Sequence, residues 1–558
     1  MTDPRYPHDL PPRTLWPTVL RTRPELQYPD TLNLAELLLD RHVTAGAGAR
    51  TAVVTKTARI AYGDLERRTN RIGHALLKLG IQPGDRVGMR FFNGVPFVAT
   101  WLAVQKIGAI GVSTMPMLRA RELAYIVNDS GARVIVCQDD LLEELARGRH
   151  AFDHPVIVVA AGSMDVVPRS YSPDADASLE RLTVDAGDRL DPTPVGNSDV
   201  ALIAYTSGST GVPKGTVHTP ADILSAADCY GAQVLGATPD DVFGGHPTLA
   251  FTYGLGGLLV FPFRVGASTS LIDRFEPQKL LARVAADRVT LLFCAATTYR
   301  VLLQDPDLER THDLTSLRLC VSAGEPLPAS VYKEWYRRTG LEILDGIGST
   351  EMFHIFISAR SGKVRAGSSG TPVGGYEARV VDEHLTEVAR GTSGLLAVRG
   401  PTGCRYWRKP DRQRDYVRGG WNITGDVYQQ DADGFFWFQC RNDDVIVCGG
   451  YKIVGPEVER VLLEHQAVSD AAVVATPDPV RGAVPKAFVV LKDAATASAA
   501  LAAALQDHVK HELAPYKYPR EIEFVATLPR TETGKLRRLE LRQRELDRKA
   551  PRSDDPAQ

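Results

Sequence analysis

The spacing of apolar positions changes several times along the chain, and each change marks an element. From Leu32 to Arg41 apolar residues recur at helical intervals, and from Ala52 to Ala61 they alternate as in a hairpin. From Tyr62 to Leu79 the helical period returns and stops at the turn Gln82-Pro83-Gly84-Asp85. Helix and strand then alternate: Phe97 to Ile107 reads as helix, Val134 to Cys137 as strand, Leu141 to Leu145 as helix and Val156 to Ala160 as strand. That alternation predicts a mostly parallel sheet wrapped by helices. Ser163 to Ser198 is polar, proline-bearing and weakly patterned, and is expected to form a long surface connection. The run Val200 to Tyr205 predicts a buried strand, and Thr219-Pro220-Ala221-Asp222 a helix start with Thr219 as N-cap, so the segment between them is expected to join strand to helix. Val289 to Cys294, Leu317 to Ser322 and Glu342 to Leu344 are further buried strands, the last opening into Asp345-Gly346-Ile347-Gly348-Ser349-Thr350-Glu351. Ligands of open α/β sheets collect at such strand ends.

From Ala378 the pattern shifts to short alternating strands at Ala378 to Val381, Leu395 to Val398 and Phe435 to Phe438, a small β subdomain. Beyond Arg441-Asn442-Asp443-Asp444 follow a helix at Glu457 to His465, strands at Ala471 to Ala475 and Ala487 to Leu491, a helix at Ala499 to Leu513 and a strand at Glu521 to Val525. The expected fold is α/β, a large N-terminal domain of helix-wrapped, mostly parallel sheets with a small β subdomain, followed by a smaller α+β domain. In residue terms this is an extended proline- and arginine-rich arm over 1–30, the main domain over 31–442, the C-terminal domain over 443–547 and a disordered tail over 548–558.

Composition narrows the function classes. At 558 residues, 44% hydrophobic and 24% charged, the chain has the make-up of a soluble multidomain protein, and a net charge of −2 leaves no global basic field for nucleic acid. Cys137, Cys229, Cys294, Cys320, Cys404, Cys440 and Cys448 form no CxxC pair and read as small buried hydrophobes in a reducing compartment. The start MTDPRYPHDLPPR lacks the basic and apolar regions of a secretory signal, and Leu249 to Phe263 is too short and interrupted to span a bilayer. A cytoplasmic location, without membrane or nucleic-acid partners, is therefore expected, and a homodimer is compatible with the sequence.

The segment YTSGSTGVPKG, residues 205 to 215, suits a polyphosphate. Its glycines let successive backbone amides converge on an anion, its hydroxyls add donors, and Lys214 supplies a full charge. Pro213 before the lysine and Gly215 after it exclude a P-loop. Taken alone, the same composition suits an ordinary turn.

Together with GEP (324–326), DGIGSTE (345–351), TGD (424–426), RNDDVIVCGGYKI (441–453) and PRTETGKLRR (529–538), in this order, the segment resembles the adenylate-forming acyl-CoA synthetases. The resemblance covers most of the chain. It implies an enzyme, an acid-thiol ligase, in which a carboxylate attacks the α-phosphate of ATP to give acyl-AMP and pyrophosphate, and coenzyme A then takes the acyl group. It also implies that Thr206, Ser207, Gly208, Ser209, Thr210, Gly211 and Lys214 hold the β and γ phosphates, and that Glu351 binds Mg²⁺, as a hard carboxylate oxygen should. Gly324, Glu325, Pro326 and Asp345 match segments framing adenine, continued by Gly346, Ile347, Gly348 and Ser349. Thr350 matches a residue near the α-phosphate, and Asp426 and Arg441 match ribose contacts. Lys452 stands where relatives carry a phosphate-binding arginine, keeping the charge but losing the bidentate fork. Lys535 matches the lysine that reaches the carboxylate and α-phosphate during adenylation. The C-terminal domain is accordingly expected to be mobile, turning about Asp443, so that the segment Cys448, Gly449, Gly450 and Tyr451 replaces Lys535 for thioester formation.

Within the family, Met352 to Phe356, Ala250 to Gly254, and the N-terminal PPRTLWP and ELQYP resemble benzoate and 2-aminobenzoate CoA ligases. The resemblance implies that Ala250, Tyr253 and His354 line the acyl pocket over a floor of Ala323 and Gly348, a slot suited to a small aromatic acid. A buried core histidine is the alternative for His354. The rival reactions are a freestanding adenylating enzyme that loads an acyl carrier protein and a catalytically silent binding module.

Overall fold

The computed structural model describes residues 9–162, 172–206, 213–448, 451–478, 481–513, 517–530 and 536–549. The chain divides into two compact units, Met1–Ala378 with Ala397–Ile423, and Arg379–Leu396 with Thr424–Gln558.

Two sheets organise the first unit. The smaller runs in the order Lys214–His218, Leu202–Thr206, Ile110–Thr114, Arg86–Arg90, Val134–Gln138, Ile157–Ala161, Ala177–Ser178, and every neighbour is parallel except the first pair. The larger has nine strands, at whose centre Val242–Gly245, Leu291–Cys294, Leu319–Ser322 and Ile343–Gly348 lie parallel. These strands are runs of Val, Ile, Leu and Phe because helices cover both faces of a parallel sheet. The helix Tyr62–Lys78 buries Leu65, Ile72 and Leu76, whereas Val95–Lys106 is buried almost all round and is correspondingly apolar throughout.

The first half of the fold differs from expectation at four places. The N-terminal arm is anchored: Leu10 and Leu26 are buried, and Arg21 Nη2 donates to the fully buried Asp222 carboxylate at 2.6 Å. Within 172–198, Ala177–Ser178 adds an edge strand, and the Ser178 hydroxyl caps the short helix Leu179–Thr183. Lys214–His218 is a strand antiparallel to Leu202–Thr206, so the glycine-rich segment joins two strands and the helix Pro220–Ala226 follows only afterwards. Five residues carrying one large aliphatic, Val217, show no readable alternation; the strand exists because its backbone completes the sheet edge. Finally, Ile343–Gly348 runs on through Asp345 as strand and pairs antiparallel with Ile355–Ser358. At Thr219 the helix start is as expected, with a reciprocal capping box to Asp222.

The second unit contains an antiparallel pair that sets Asp426 opposite Arg441, and a hairpin of Val445–Cys448 with Tyr451–Val454. Its sheet pairs Val468–Asp478 antiparallel with Gly482–Leu491, which pairs parallel with Glu521–Phe524. The helices Gly455–Glu464 and Ala499–Glu512 pack on it through Val458, Leu462, Leu505 and Val509. A helix that the periodicity did not reveal, Arg538–Lys549, takes in Arg548 and Lys549 from the expected tail, and both pair with Glu521, at 2.9 and 2.6 Å. The remainder of that tail, 550–558, lies outside the described residues. All seven cysteines are buried and unpaired by disulfides, and among the described residues no helix is long and apolar enough to cross a membrane.

Candidate active site

The hairpin brings Thr206 and Lys214 opposite each other at the mouth of the glycine-rich segment. Ser207, Gly208, Ser209, Thr210 and Gly211 lie outside the described residues. The Lys214 ammonium stands 5.8 Å from the ring centre of Tyr406, and the Tyr406 hydroxyl donates to Glu351 Oε1 at 2.7 Å. Burial, with Cys404 and Glu351 nearby, holds the Tyr406 phenol well above its ordinary range, so it is the donor in that bond.

Glu351 sits in the single turn Thr350–Met352, capped by the Ser349 hydroxyl, which accepts from the Met352 amide at 3.2 Å. Two further bonds hold this turn. His218 Nε2 donates to the Thr350 carbonyl at 2.8 Å, and the Thr402 hydroxyl donates to the Met352 carbonyl at 2.9 Å. Phe353 closes the turn at φ 70°, unusual for a non-glycine residue, and its ring packs edge-on against His218 at 5.2 Å. His218 is fully buried, which pushes its pKa down to about 4 and keeps the ring neutral. Neither His218 nor Tyr406 was singled out from the sequence: both lie in short segments whose importance depends on a strand pairing, since the Val217 amide bonds the Arg405 carbonyl and the Trp407 amide the Gly215 carbonyl, each at 2.8 Å.

Two neighbouring strand ends of the large sheet carry the other predicted nucleotide segment. Ser322 pairs with Asp345, and Ala323 is buried behind them. Gly324 turns at φ 90°, a conformation that favours glycine, and exposes Pro326. The Glu325 carboxylate accepts from the Thr297 amide at 2.5 Å, tying this turn to the start of the helix Ala296–Leu302. Burial pushes Asp345 up to about 8, against the opposing pull of the Leu327 and Gly346 amides and the Ser322 hydroxyl. Gly346 and Gly348 are demanded by strand packing: a Cβ on Gly346 would meet Ile355 Cγ2 at 2.8 Å, and one on Gly348 the His354 carbonyl oxygen at 2.6 Å. Ile347 lies between them, opposite Ile357.

The predicted acyl residues gather beside this strand. The Tyr253 hydroxyl donates to the Cys294 carbonyl at 3.0 Å, and its ring lies 5.9 Å from Phe293. His354, 3% exposed, hydrogen-bonds the Tyr253 carbonyl through Nε2 at 3.2 Å and is surrounded by Tyr253 at 5.5 Å, Tyr230 at 5.4 Å and Phe261 at 4.6 Å. Its surroundings are those of a core histidine, while its neighbour Tyr253 is partly exposed. The backbone before Tyr253 is tightly folded: a Cβ on Gly254 would fall 2.1 Å from the Thr248 carbonyl oxygen, and the Ala250 amide bonds the Thr248 hydroxyl at 3.3 Å.

In the second unit, Arg441 Nη1 donates to Asp426 Oδ1 at 2.9 Å across the strand pair. Asp443 lies in the single turn Asn442–Asp444, and Lys452 is in backbone register with Val447 in the hairpin that pairs Cys448 with Tyr451. Gly449, Gly450 and Lys535 lie outside the described residues.

A carboxylate, an ammonium and a run of strand-end glycines and hydroxyls around one turn suit a nucleotide phosphate site, and the comparison with known proteins agrees. The model of the AMP-binding enzyme family matches residues 39–407, and that of the AMP-binding enzyme C-terminal domain matches residues 457–535. The chain belongs to the AMP-binding enzyme family. Benzoate–CoA ligase of Thauera aromatica is 38% identical over 528 residues, covering 93% of this chain and 98% of the relative. A crystal structure of an anthranilate CoA ligase in complex with anthranoyl-AMP superposes with a TM-score of 0.85 at 35% identity, covering 95% of this chain and all of the other (100%). That of a benzoate CoA ligase from Burkholderia xenovorans LB400 gives 0.80 at 34%, covering 92% and 100%. This AMP-binding enzyme is thus an AMP-forming aryl- or acyl-CoA ligase, an acid-thiol ligase whose substrates are a carboxylate, ATP and coenzyme A.

Proposed function

We propose that the acid this ligase activates is a small aromatic carboxylate, 2-aminobenzoate or benzoate. The observation that carries the reading is the partly exposed Tyr253 beside the strand Ile343–Gly348, backed by the buried rings of Phe293, Tyr230, Phe261 and His354. Burial pushes His354 down to about 3, so this backing is uncharged near neutral pH and favours a flat ring over a second carboxylate or an aliphatic ammonium. The named relatives act on benzoate and anthranilate, which supports the same choice.

In this reading Thr206 to Lys214 hold the β and γ phosphates, Thr350 lies near the α-phosphate, and Glu351 binds Mg²⁺. The Tyr406 bond engages Glu351 Oε1, and the other carboxylate oxygen fits a hard ion that takes its remaining ligands from nucleotide and water. The ion would neutralise phosphate charge. Gly324, Glu325, Pro326 and Asp345 with the following Gly346 to Ser349 frame adenine, Asp426 and Arg441 hold ribose, and Lys452 meets phosphate. Lys535 serves adenylation, Cys448 to Tyr451 the pantetheine arm, and Asp443 the hinge between the half-reactions. The acid's oxygen attacks the α-phosphorus and pyrophosphate leaves; the thiol then attacks the acyl carbon and AMP leaves.

A panel of benzoates, fatty acids and small aliphatic acids, assayed with ATP, Mg²⁺ and coenzyme A for AMP and thioester, tests the proposal. Benzoate or 2-aminobenzoate should give the highest kcat/KM. Preference for an aliphatic acid overturns it.

A further inference from the structure

We propose that Tyr406 is a positioning residue for adenylation: its hydroxyl holds the Glu351 carboxylate toward the magnesium–nucleotide, and its ring keeps Lys214 from pairing with that carboxylate. The inference rests on the proposed metal role of Glu351. Three observations carry it.

First, the hydroxyl donates to Glu351 Oε1 at 2.7 Å, which commits one carboxylate oxygen and leaves the charge intact. Second, the Lys214 ammonium lies 5.8 Å from the ring centre, within cation–π range, and no ion pair joins Lys214 to Glu351 among the described residues. A direct Lys214–Glu351 pair would cancel the two charges that phosphate and cation need. Third, the ring is not free to choose its place. Tyr406 is 2% exposed, packs edge-on against Tyr416 at 5.7 Å, and sits on a backbone segment bridged to Thr216 between two 2.8 Å hydrogen bonds to the Lys214–His218 strand. The strand that ends the phosphate segment therefore also fixes the side chain that aims Glu351.

The test compares wild type, Tyr406→Phe and Glu351→Gln in the full-length protein. Mn²⁺ affinity is read by electron paramagnetic resonance in the presence of a non-hydrolysable ATP analogue, alongside steady-state kinetics and thioester formation from supplied acyl-AMP. Tyr406→Phe keeps the ring and loses the hydroxyl, a hydrogen bond to a charged group, so Mn²⁺ affinity should fall about tenfold and the half-saturating Mg²⁺ concentration should rise by a similar factor. The KM for the acid and the thioester step should stay at wild-type values. Wild-type Mn²⁺ affinity in Tyr406→Phe with weakened affinity in Glu351→Gln overturns the positioning role alone. Unchanged affinity in Glu351→Gln overturns the metal role and this inference with it. Equal loss of both half-reactions in Tyr406→Phe, with a lowered melting temperature, shows a structural role and also overturns it.

Discussion

His354 offers a test in which packing and protonation can be separated. Its ring is neutral in the fold because burial pushes the pKa down to about 3, only partly countered by the bond to the Tyr253 carbonyl. An unfolded histidine titrates near 6.5, so the folded value lies below the unfolded one. The stabilisation from keeping the ring neutral is therefore complete above pH ~6.5 and is lost as pH falls toward about 3. At pH 5 the unfolded chain gains about 1.5 units of protonation free energy that the fold cannot match, about 2 kcal/mol at roughly 1.36 kcal/mol per unit. His354→Leu removes that proton. It also removes the side-chain bond to the Tyr253 carbonyl, which still accepts from the Gly256 amide, and alters packing, at about 1–3 kcal/mol, but those costs do not depend on pH. Urea unfolding by near-ultraviolet dichroism at pH 8 and pH 5 gives the double difference. The variant should lose about 2 kcal/mol less than wild type between the two pH values. Equal losses would show that His354 is charged in the fold or reaches solvent, and the uncharged-wall account would fall.

Three further substitutions probe other parts. Asp222→Asn leaves the part-buried Arg21 and the buried Arg405 facing an uncharged amide at a fully buried position, and should cost about 3–5 kcal/mol in chemical denaturation; a change under about 1 kcal/mol would show that these two ion pairs contribute little. Gly348→Ala puts a methyl 2.6 Å from the His354 carbonyl oxygen, where backbone must move, so yield of folded protein and adenylation should both drop; a wild-type melting temperature and kcat would refute the close approach. Lys535→Ala should abolish AMP formation at least a hundredfold while largely sparing thioester formation from supplied acyl-AMP, since removing a transition-state charge contact costs on the order of several kcal/mol; equal loss in both steps would remove the division of labour assigned to the lysine.

Much of the fold was legible because its strands are Val- and Ile-rich and its helices periodic. Val134–Gln138, Ile157–Ala161 and Leu291–Cys294 lie within one or two residues of the pattern, and from Gly455 to Phe524 the expected helices and strands occur in order, with Val468–Asp478 and Gly482–Leu491 each about twice the expected length. The misses share a cause. Lys214–His218, Asp345–Gly348 and Ala177–Ser178 are strands with little apolar alternation, defined by backbone pairing to a neighbouring strand rather than by a side-chain pattern. Arg538–Lys549 is mostly charged, and is anchored by Leu541 and the buried Glu545 with Lys486 at 2.7 Å rather than by an apolar stripe.

The site divides in the same way. Six short motifs taken together and in order carried the resemblance, because an anion cradle draws its glycines, hydroxyls and lysine from neighbours in the chain and so leaves a mark that can be read locally. Hence the family and the class of reaction were legible through that resemblance before any fold, with Lys214 and Glu351 as its candidate charges. What surrounds each charge was decided only by tertiary structure. Tyr406 meets Glu351 across 55 positions, His218 reaches Thr350 across 132, and His354 meets Tyr253 across 101. Hydrogen bonds and burial act over about 3 Å of space whatever the separation along the chain, so the sequence named the charges and the packing of the two sheets set their partners.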